Sequence, residues 1–152
     1  MYKRQGEYGL LYVVLGIAAA WISDVGAFCA GKLFGKHKLC PQVSPKKTVE
    51  GVVGGFFLNL LFMLLVGVLA PVIYGDARVS FLSLVLLAAG GTAISILGDL
   101  SFSLVKRGCG IKDFGKVIPG HGGILDRFDG VIFTAPYTYF LLSVLPVMIS
   151  AV

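Results

Sequence analysis

Charged side chains are scarce in this chain. Only 14% of its 152 residues are Asp, Glu, Lys or Arg, against roughly a quarter in ordinary globular domains. Histidine occurs twice and cysteine three times. Cys29, Cys40 and Cys109 form no C-x-x-C pair and no zinc spacing with His37 or His121, so they read as small apolar residues rather than a disulfide framework or a zinc site. What fills the chain instead is apolar: 57% of residues are hydrophobic and mean hydropathy is +0.89. Too few polar groups remain to cover a soluble surface, so the solvent for most of this chain is a bilayer.

Four apolar runs approach the ~20 residues that a membrane helix requires. They lie at about Tyr8–Ala30, Val52–Tyr74, Val79–Val105 and Gly130–Val152. Pro71 falls near the end of the second run, Gly90-Gly91 inside the third, and Pro136 and Pro146 inside the fourth, where they predict kinks. The glycine pair either bends its helix or lets a neighbour approach closely. The expected fold is all-α, a polytopic bundle of about four transmembrane helices forming one membrane domain over residues 1–152. Neither an internal repeat nor a low-complexity tract interrupts it. Met1–Glu7 is polar, but the run that follows has no A-x-A site, so a cleaved signal peptide is not expected.

The net charge of +5 is ambiguous until its distribution is read. Ten of the 13 basic residues fall in two stretches, 31–51 and 106–129. That pattern is the positive-inside signal of a membrane protein rather than a nucleic-acid footprint. With four spans both stretches lie on one face, the cytoplasmic one, and both termini face outward. Lys3 and Arg4 oppose that orientation.

Against this apolar background the acids stand out. Asp24 and Asp99 lie within apolar runs, where a carboxylate costs ~2.5–3.5 kcal/mol or more. Asp126 and Asp129, three apart, share one face of the fourth helix at its start. Helix capping explains one such acid better than two. Asp99, Asp126 and Asp129 together suit a hard cation such as Mg²⁺, which takes oxygen ligands and bridges to phosphates. Beside them Pro119-Gly120-His121-Gly122-Gly123 is a glycine-rich turn feeding a helix N-terminus, a form that can cradle phosphate. His121 either contacts phosphate or braces the turn. Lys106, Arg107, Lys112 and Arg127 add cations nearby, and Asp113 follows Lys112. In the other basic stretch, Ser44-Pro45-Lys46-Lys47-Thr48 offers two lysines after a rigid proline, for phosphate, anionic headgroups or topology alone.

Taken together, Ser103 to Arg107, Lys112-Asp113-Phe114-Gly115 and Pro119 through Asp129 resemble, without departure, the signature of the phosphatidate cytidylyltransferase (CDP-diacylglycerol synthase) family. Ser23 to Phe28, Gly35 to Leu39 and Ser44 to Gly51 are similar to that family too, so the likeness covers most of Trp21–Asp129. Family members are usually longer, and the resemblance implies that this chain is their C-terminal catalytic portion. The resemblance implies transfer of a cytidylyl group from CTP to phosphatidate, giving CDP-diacylglycerol and pyrophosphate in phospholipid biosynthesis. It implies a metal-dependent site of Asp99, Asp126 and Asp129 with Lys106 and Arg107, and homodimers. The expected substrate contacts are Asp24, Ser44, Lys46, Lys47, Lys112, Asp113, His121, Gly122, Gly123 and Arg127. Mg²⁺ is the expected cofactor, beside which a second, monovalent cation has a place. The expected location is the bacterial inner membrane, with the site facing the cytoplasm, and nucleic acid is not an expected partner. The rival readings are another CTP-dependent lipid enzyme, such as a polyprenol or phytol kinase-like protein or an archaeal-type CDP-lipid synthase, and a non-catalytic membrane subunit or transporter fragment, in which the buried acids would be ion-coupling sites.

Overall fold

A computed structural model describes residues 2–74, 78–111, 113–115 and 123–149. Four helices dominate: α1 (Tyr2–Phe34), α2 (Val49–Tyr74), α3 (Phe81–Gly108) and α4 (Leu125–Val144). The connection between α1 and α2 is not a plain loop. It folds into an antiparallel hairpin, β1 (Lys38–Cys40) with β2 (Ser44–Thr48), in which Lys38 faces Thr48 and Cys40 faces Ser44. At the opposite end of the bundle β3 (Arg78–Val79) pairs with β4 (Met148–Ile149). The all-α expectation holds for the architecture, with these two small sheets tying off its ends.

Three helices are long and apolar enough to cross a membrane: Tyr8–Phe34 within α1, Val49–Tyr74 and Phe81–Gly108. The expected fourth span, Gly130–Val152, is corrected. Its helix starts earlier, at Leu125, so its first turns carry Asp126, Arg127 and Asp129, and it stops at Val144. The apolar part that remains is shorter than the ~20 residues a crossing takes. Pro146 lies beyond this helix and kinks nothing, whereas Pro136 does lie inside it. Most large apolar side chains on α1–α3 point outward, as Leu61 (65% exposed) and Val72 (81% exposed) do. A bilayer covers such a surface.

Small residues set the packing, as they do where lipid removes any hydrophobic drive between helices. A Cβ added at Gly55 would stand 2.5 Å from the Ser23 carbonyl oxygen, and one at Gly26 would stand 2.9 Å from Gly55 Cα. Backbones of α1 and α2 therefore touch, which brings Asp24 against the hairpin. Gly90-Gly91 does not interrupt α3. Gly90 instead leaves a notch for Tyr137 of α4, whose hydroxyl donates to the Leu86 carbonyl at 2.7 Å.

Midway down the bundle, Asn59 of α2 is completely buried. Its amide nitrogen lies 3.2 Å from the Ala19 carbonyl oxygen, 3.3 Å from that of Ala88 and 3.0 Å from Thr92 Oγ1. One side chain thus joins α1, α2 and α3 where no water could replace it. The apolar core of Leu15, Met63, Leu84, Leu87 and Leu142 lies toward the β3–β4 end.

Candidate active site

The hairpin end of the bundle holds a polar cavity of about 320 Å³. Asp24 of α1, Ser44, Lys46, Lys47 and Thr48 of β2, Asp99 of α3, and Asp126 and Asp129 of α4 line it, with Phe28, Val52 and Ile96 as apolar walls. Residues from both basic stretches meet here, so the two stretches do lie at one end of the bundle.

Each wall has a local cause. Thr48 caps α2: its hydroxyl accepts from the Gly51 N–H at 3.1 Å, satisfying an amide that the first turn leaves free. The hairpin is held at its base by Glu50, whose carboxylate accepts from the His37 backbone N–H at 3.2 Å and meets His37 Nδ1 at 2.6 Å. The Val49 N–H adds a bond to the His37 carbonyl at 2.9 Å. This clasp fixes β2 so that Lys47 forms an ion pair with Asp99 across the cavity.

On the far wall α3 ends with Lys106 and Arg107 in its last turn, where cations complement the helix dipole. Lys106 Nζ reaches Asp126 Oδ1 at 2.9 Å, and Asp126 Oδ2 accepts from the N–H groups of Phe114 (2.9 Å) and Gly123 (3.0 Å). Asp126 stands in the first turn of α4, ahead of its apolar part. Burial works against its ionisation, but Lys106 and the two N–H groups outweigh burial and hold its carboxyl below the ordinary carboxylate range.

Asp129 is buried, 7% exposed. It accepts from the Gly130 N–H at 2.8 Å and lies beside Asp99 in the cavity, near enough for the two carboxyl groups to interact. Asp24 completes the group, near both Lys47 and Asp99. Two carboxyl groups in contact need a proton or a cation between them.

Asp99, Asp126 and Asp129 are the metal ligands expected from sequence. The structure pairs Asp99 with Asp129 and engages both oxygens of Asp126 elsewhere. Among the described residues no three His, Cys, Asp or Glu stand together as a metal-holding group. A Mg²⁺ ion is commonly held by one or two carboxylates, with water and substrate phosphates supplying its other ligands. The Asp99–Asp129 pair fits that donor set.

Asp24, Ser44, Lys46, Lys47, Asp99, Asp126 and Asp129 therefore share one cavity, and Lys106 and Gly123 support it through Asp126. Arg107, Asp113 and Arg127 are exposed and do not line the cavity. Lys112, His121 and Gly122 lie outside the described residues. Sequence reasoning missed Thr48 as a wall and cap, although a threonine directly before an apolar run, with Glu50 in the first turn, is an N-cap signal. It also missed the His37–Glu50 clasp, which lay 13 positions apart with no periodicity to mark it.

A membrane helix bundle with an acidic, lysine-lined cavity at one end defines the class of this protein. The chain belongs to the cytidylyltransferase family, whose model matches residues 1–145. Among curated relatives it is similar to phosphatidate cytidylyltransferases. That of Bacillus subtilis (strain 168) is 40% identical over 141 residues, covering 93% of this chain and 51% of the relative. That of Staphylococcus saprophyticus is 41% identical over 142 residues, covering 93% and 52%. That of Staphylococcus aureus (strain COL) is 40% identical over 141 residues, covering 93% and 52%. The chain thus spans about half the length of these relatives.

Proposed function

We propose that this cavity transfers a cytidylyl group from CTP to phosphatidate, releasing pyrophosphate and leaving CDP-diacylglycerol. The observation that carries the reading is the convergence of a buried Asp129, a half-buried Asp99 and a hairpin lysine at one end of a membrane bundle. Relatives named phosphatidate cytidylyltransferase, each matched over about half its length, support it.

The reaction is an in-line displacement. A phosphate oxygen of the lipid attacks the α-phosphorus of CTP, and the bond from that phosphorus to the bridging oxygen of the β-phosphate breaks. The lipid phosphate is already an anion, so no strong base is required. Catalysis then rests on holding the two reactants in line and on balancing charge. Lys47 and Lys46 on β2 face the cavity and would hold phosphate oxygens. Lys106, locked to Asp126, fixes the angle between α3 and α4 and so the distance from Asp99 to Asp129. Asp99 and Asp129 would hold a Mg²⁺ ion, which when bound supplies charge neutralisation at the attacking and leaving oxygens. A second, monovalent cation near Asp24, and homodimers, belong to the same reading.

The chain is an integral membrane protein. The basic stretches at the cavity end support an orientation with that end in the cytoplasm of a bacterial cell, at the inner membrane. CTP then arrives from water and the lipid from the bilayer.

The test is isotopic. The purified chain in lipid nanodiscs, given phosphatidate and [α-³²P]CTP with Mg²⁺, should place label in lipid, while [γ-³²P]CTP should leave it in water-soluble pyrophosphate. Lipid labelled from the γ position would instead mark a kinase and sink the assignment, as would no lipid label from either.

A further inference from the structure

Ser95 lies on α3 one turn before Asp99 and on the same face. It is completely buried, and its hydroxyl has no hydrogen-bond partner among the described residues. A serine inside a helix ordinarily bonds a carbonyl one turn back, as Ser101 does to Leu97 at 2.7 Å. Other buried hydroxyls of this bundle are engaged: Ser23 donates to Ala20 at 2.8 Å, and Thr92 accepts from Asn59 at 3.0 Å. Thr138 shares the unpartnered state, but it stands two turns past Gly130, beside an apolar groove. Ser95 instead stands immediately behind the acid pair.

The packing there is specific. A Cβ added at Gly130 would meet Ser95 Oγ at 2.5 Å, and its next contact would be Ser95 Cβ at 3.6 Å. A Cβ at Gly98 would stand 3.0 Å from the Asp129 carbonyl oxygen. Glycines on both helices thus bring α3 and α4 together at Asp129, and the residue after Asp129 leaves the space that this hydroxyl occupies. An apolar side chain would fill that space without leaving a buried polar atom unbonded.

We infer that Ser95 is a positioning residue for the Asp99–Asp129 pair, its hydroxyl donating through an ordered water to the carboxylates when they hold a divalent cation. A buried water with polar partners is a normal structural part of such a site. Groups that orient metal-binding carboxylates typically change metal affinity 10- to 100-fold when removed. This inference rests on the cation reading given above, and the experiment separates the two.

The geometry supplies its own control. In S95A/G130A a methyl group on α4 replaces the hydroxyl on α3, and with that hydroxyl gone the nearest remaining contacts of the new Cβ are the Cβ of residue 95 at 3.6 Å and Ala20 Cβ at 3.7 Å, ordinary van der Waals distances. The purified chain in detergent, without nucleotide or lipid, is titrated with MgCl₂ while its melting temperature is followed. Wild type should be stabilised by Mg²⁺. S95A/G130A should melt at the wild-type temperature without metal, but need about tenfold more Mg²⁺ or more for half the stabilisation. S95C keeps the shape and weakens the donor, so it should move the same way even if the double variant packs poorly. Wild-type Mg²⁺ dependence in S95C, or in a folded S95A/G130A, would overturn the role and leave the cation site standing. A wild type that does not respond to Mg²⁺ would remove both.

Discussion

The two sides of the cavity handle the same chemistry in opposite ways. At the α3–α4 corner, Asp126 is saturated: Lys106 takes one oxygen, and two backbone N–H groups take the other. Across the cavity, Asp99 and Asp129 lie side by side, with Asp24 close by and Lys47 as the ion-pair partner of Asp99. Asp126 and Asp129 are three residues apart on one helix, yet one closes a structural corner and the other is left short of positive charge. The difference teaches that a carboxylate's role here follows from how many donors its neighbours already supply. A saturated group braces, and an unsaturated pair is free to bind.

Substitutions should split along that line. The largest effect is expected at the unsaturated pair. Asp129→Asn and Asp99→Asn keep size and a carbonyl oxygen but remove charge. Each should lower kcat at least a hundredfold, on the order of 3 kcal/mol of transition-state stabilisation, while the melting temperature holds or rises as like-charge repulsion is relieved. Near-normal kcat in either variant would erase the distinction between the two sides.

Asp126→Asn should instead act on the fold. It leaves Lys106, whose side chain is only 13% exposed, without its counter-charge. Losing one partner of a mostly buried pair costs on the order of 3 kcal/mol, seen as a lower melting temperature with activity falling alongside it. The pH dependence carries a sign. The folded pKa of Asp126 lies below its unfolded value of about 3.9, so the pair's contribution is complete above that pH and is lost as pH falls through the folded pKa. The variant should lack this component of acid destabilisation. A variant with wild-type stability and no turnover would return Asp126 to the role of ligand.

The sequence made the membrane class legible because composition alone excluded a soluble surface, and the placement of basic residues foretold that both polar stretches share one end. Asp24, Asp99, Asp126 and Asp129 were visible as acids out of place, and the structure brings all four to one cavity. What was not legible was the division of labour among them. Periodicity puts Asp126 and Asp129 on one helix face, but it cannot show that the Phe114 and Gly123 amides converge on only one of them, since those depend on chain reversal after α3. The hairpin was hidden for a similar reason: Ser44–Thr48 is short, lysine-rich and has no alternating pattern to mark a strand. The bounds of the fourth apolar run were misplaced because hydropathy counts apolar residues, whereas the helix begins at Leu125 and takes Asp126, Arg127 and Asp129 into its first turns.

Lys47→Ala tests the unsaturated side from the cation's direction. The side chain is partly exposed and flexible, and it would bind phosphate as one contact among several. Its removal should raise the apparent KM for CTP or phosphatidate about tenfold with kcat changed less. It should also tighten Mg²⁺ binding, because Asp99 loses a competing cation. An unchanged KM with a large fall in kcat would place Lys47 at the transferring phosphorus instead.

The smallest effect is expected far from the cavity, where it serves as the control for the rest. Tyr137 of α4 fits its ring into the notch at Gly90 and donates to the Leu86 carbonyl. In Tyr137→Phe the ring still fills the notch, so no cavity opens and packing between α3 and α4 persists. Leu86 keeps the helical hydrogen bond that its carbonyl ordinarily accepts, so the loss is one bond and not an orphaned acceptor. That should cost about 1 kcal/mol, a fall of several degrees in melting temperature for a chain of this size. Mg²⁺ dependence and KM should not move, because the contact joins the helices well away from Asp129. A shift in Mg²⁺ affinity from this variant would mean that any loosening of the α3–α4 seam reaches the acid pair, and the separate roles assigned to Asp126 and Asp129 would then merge into one.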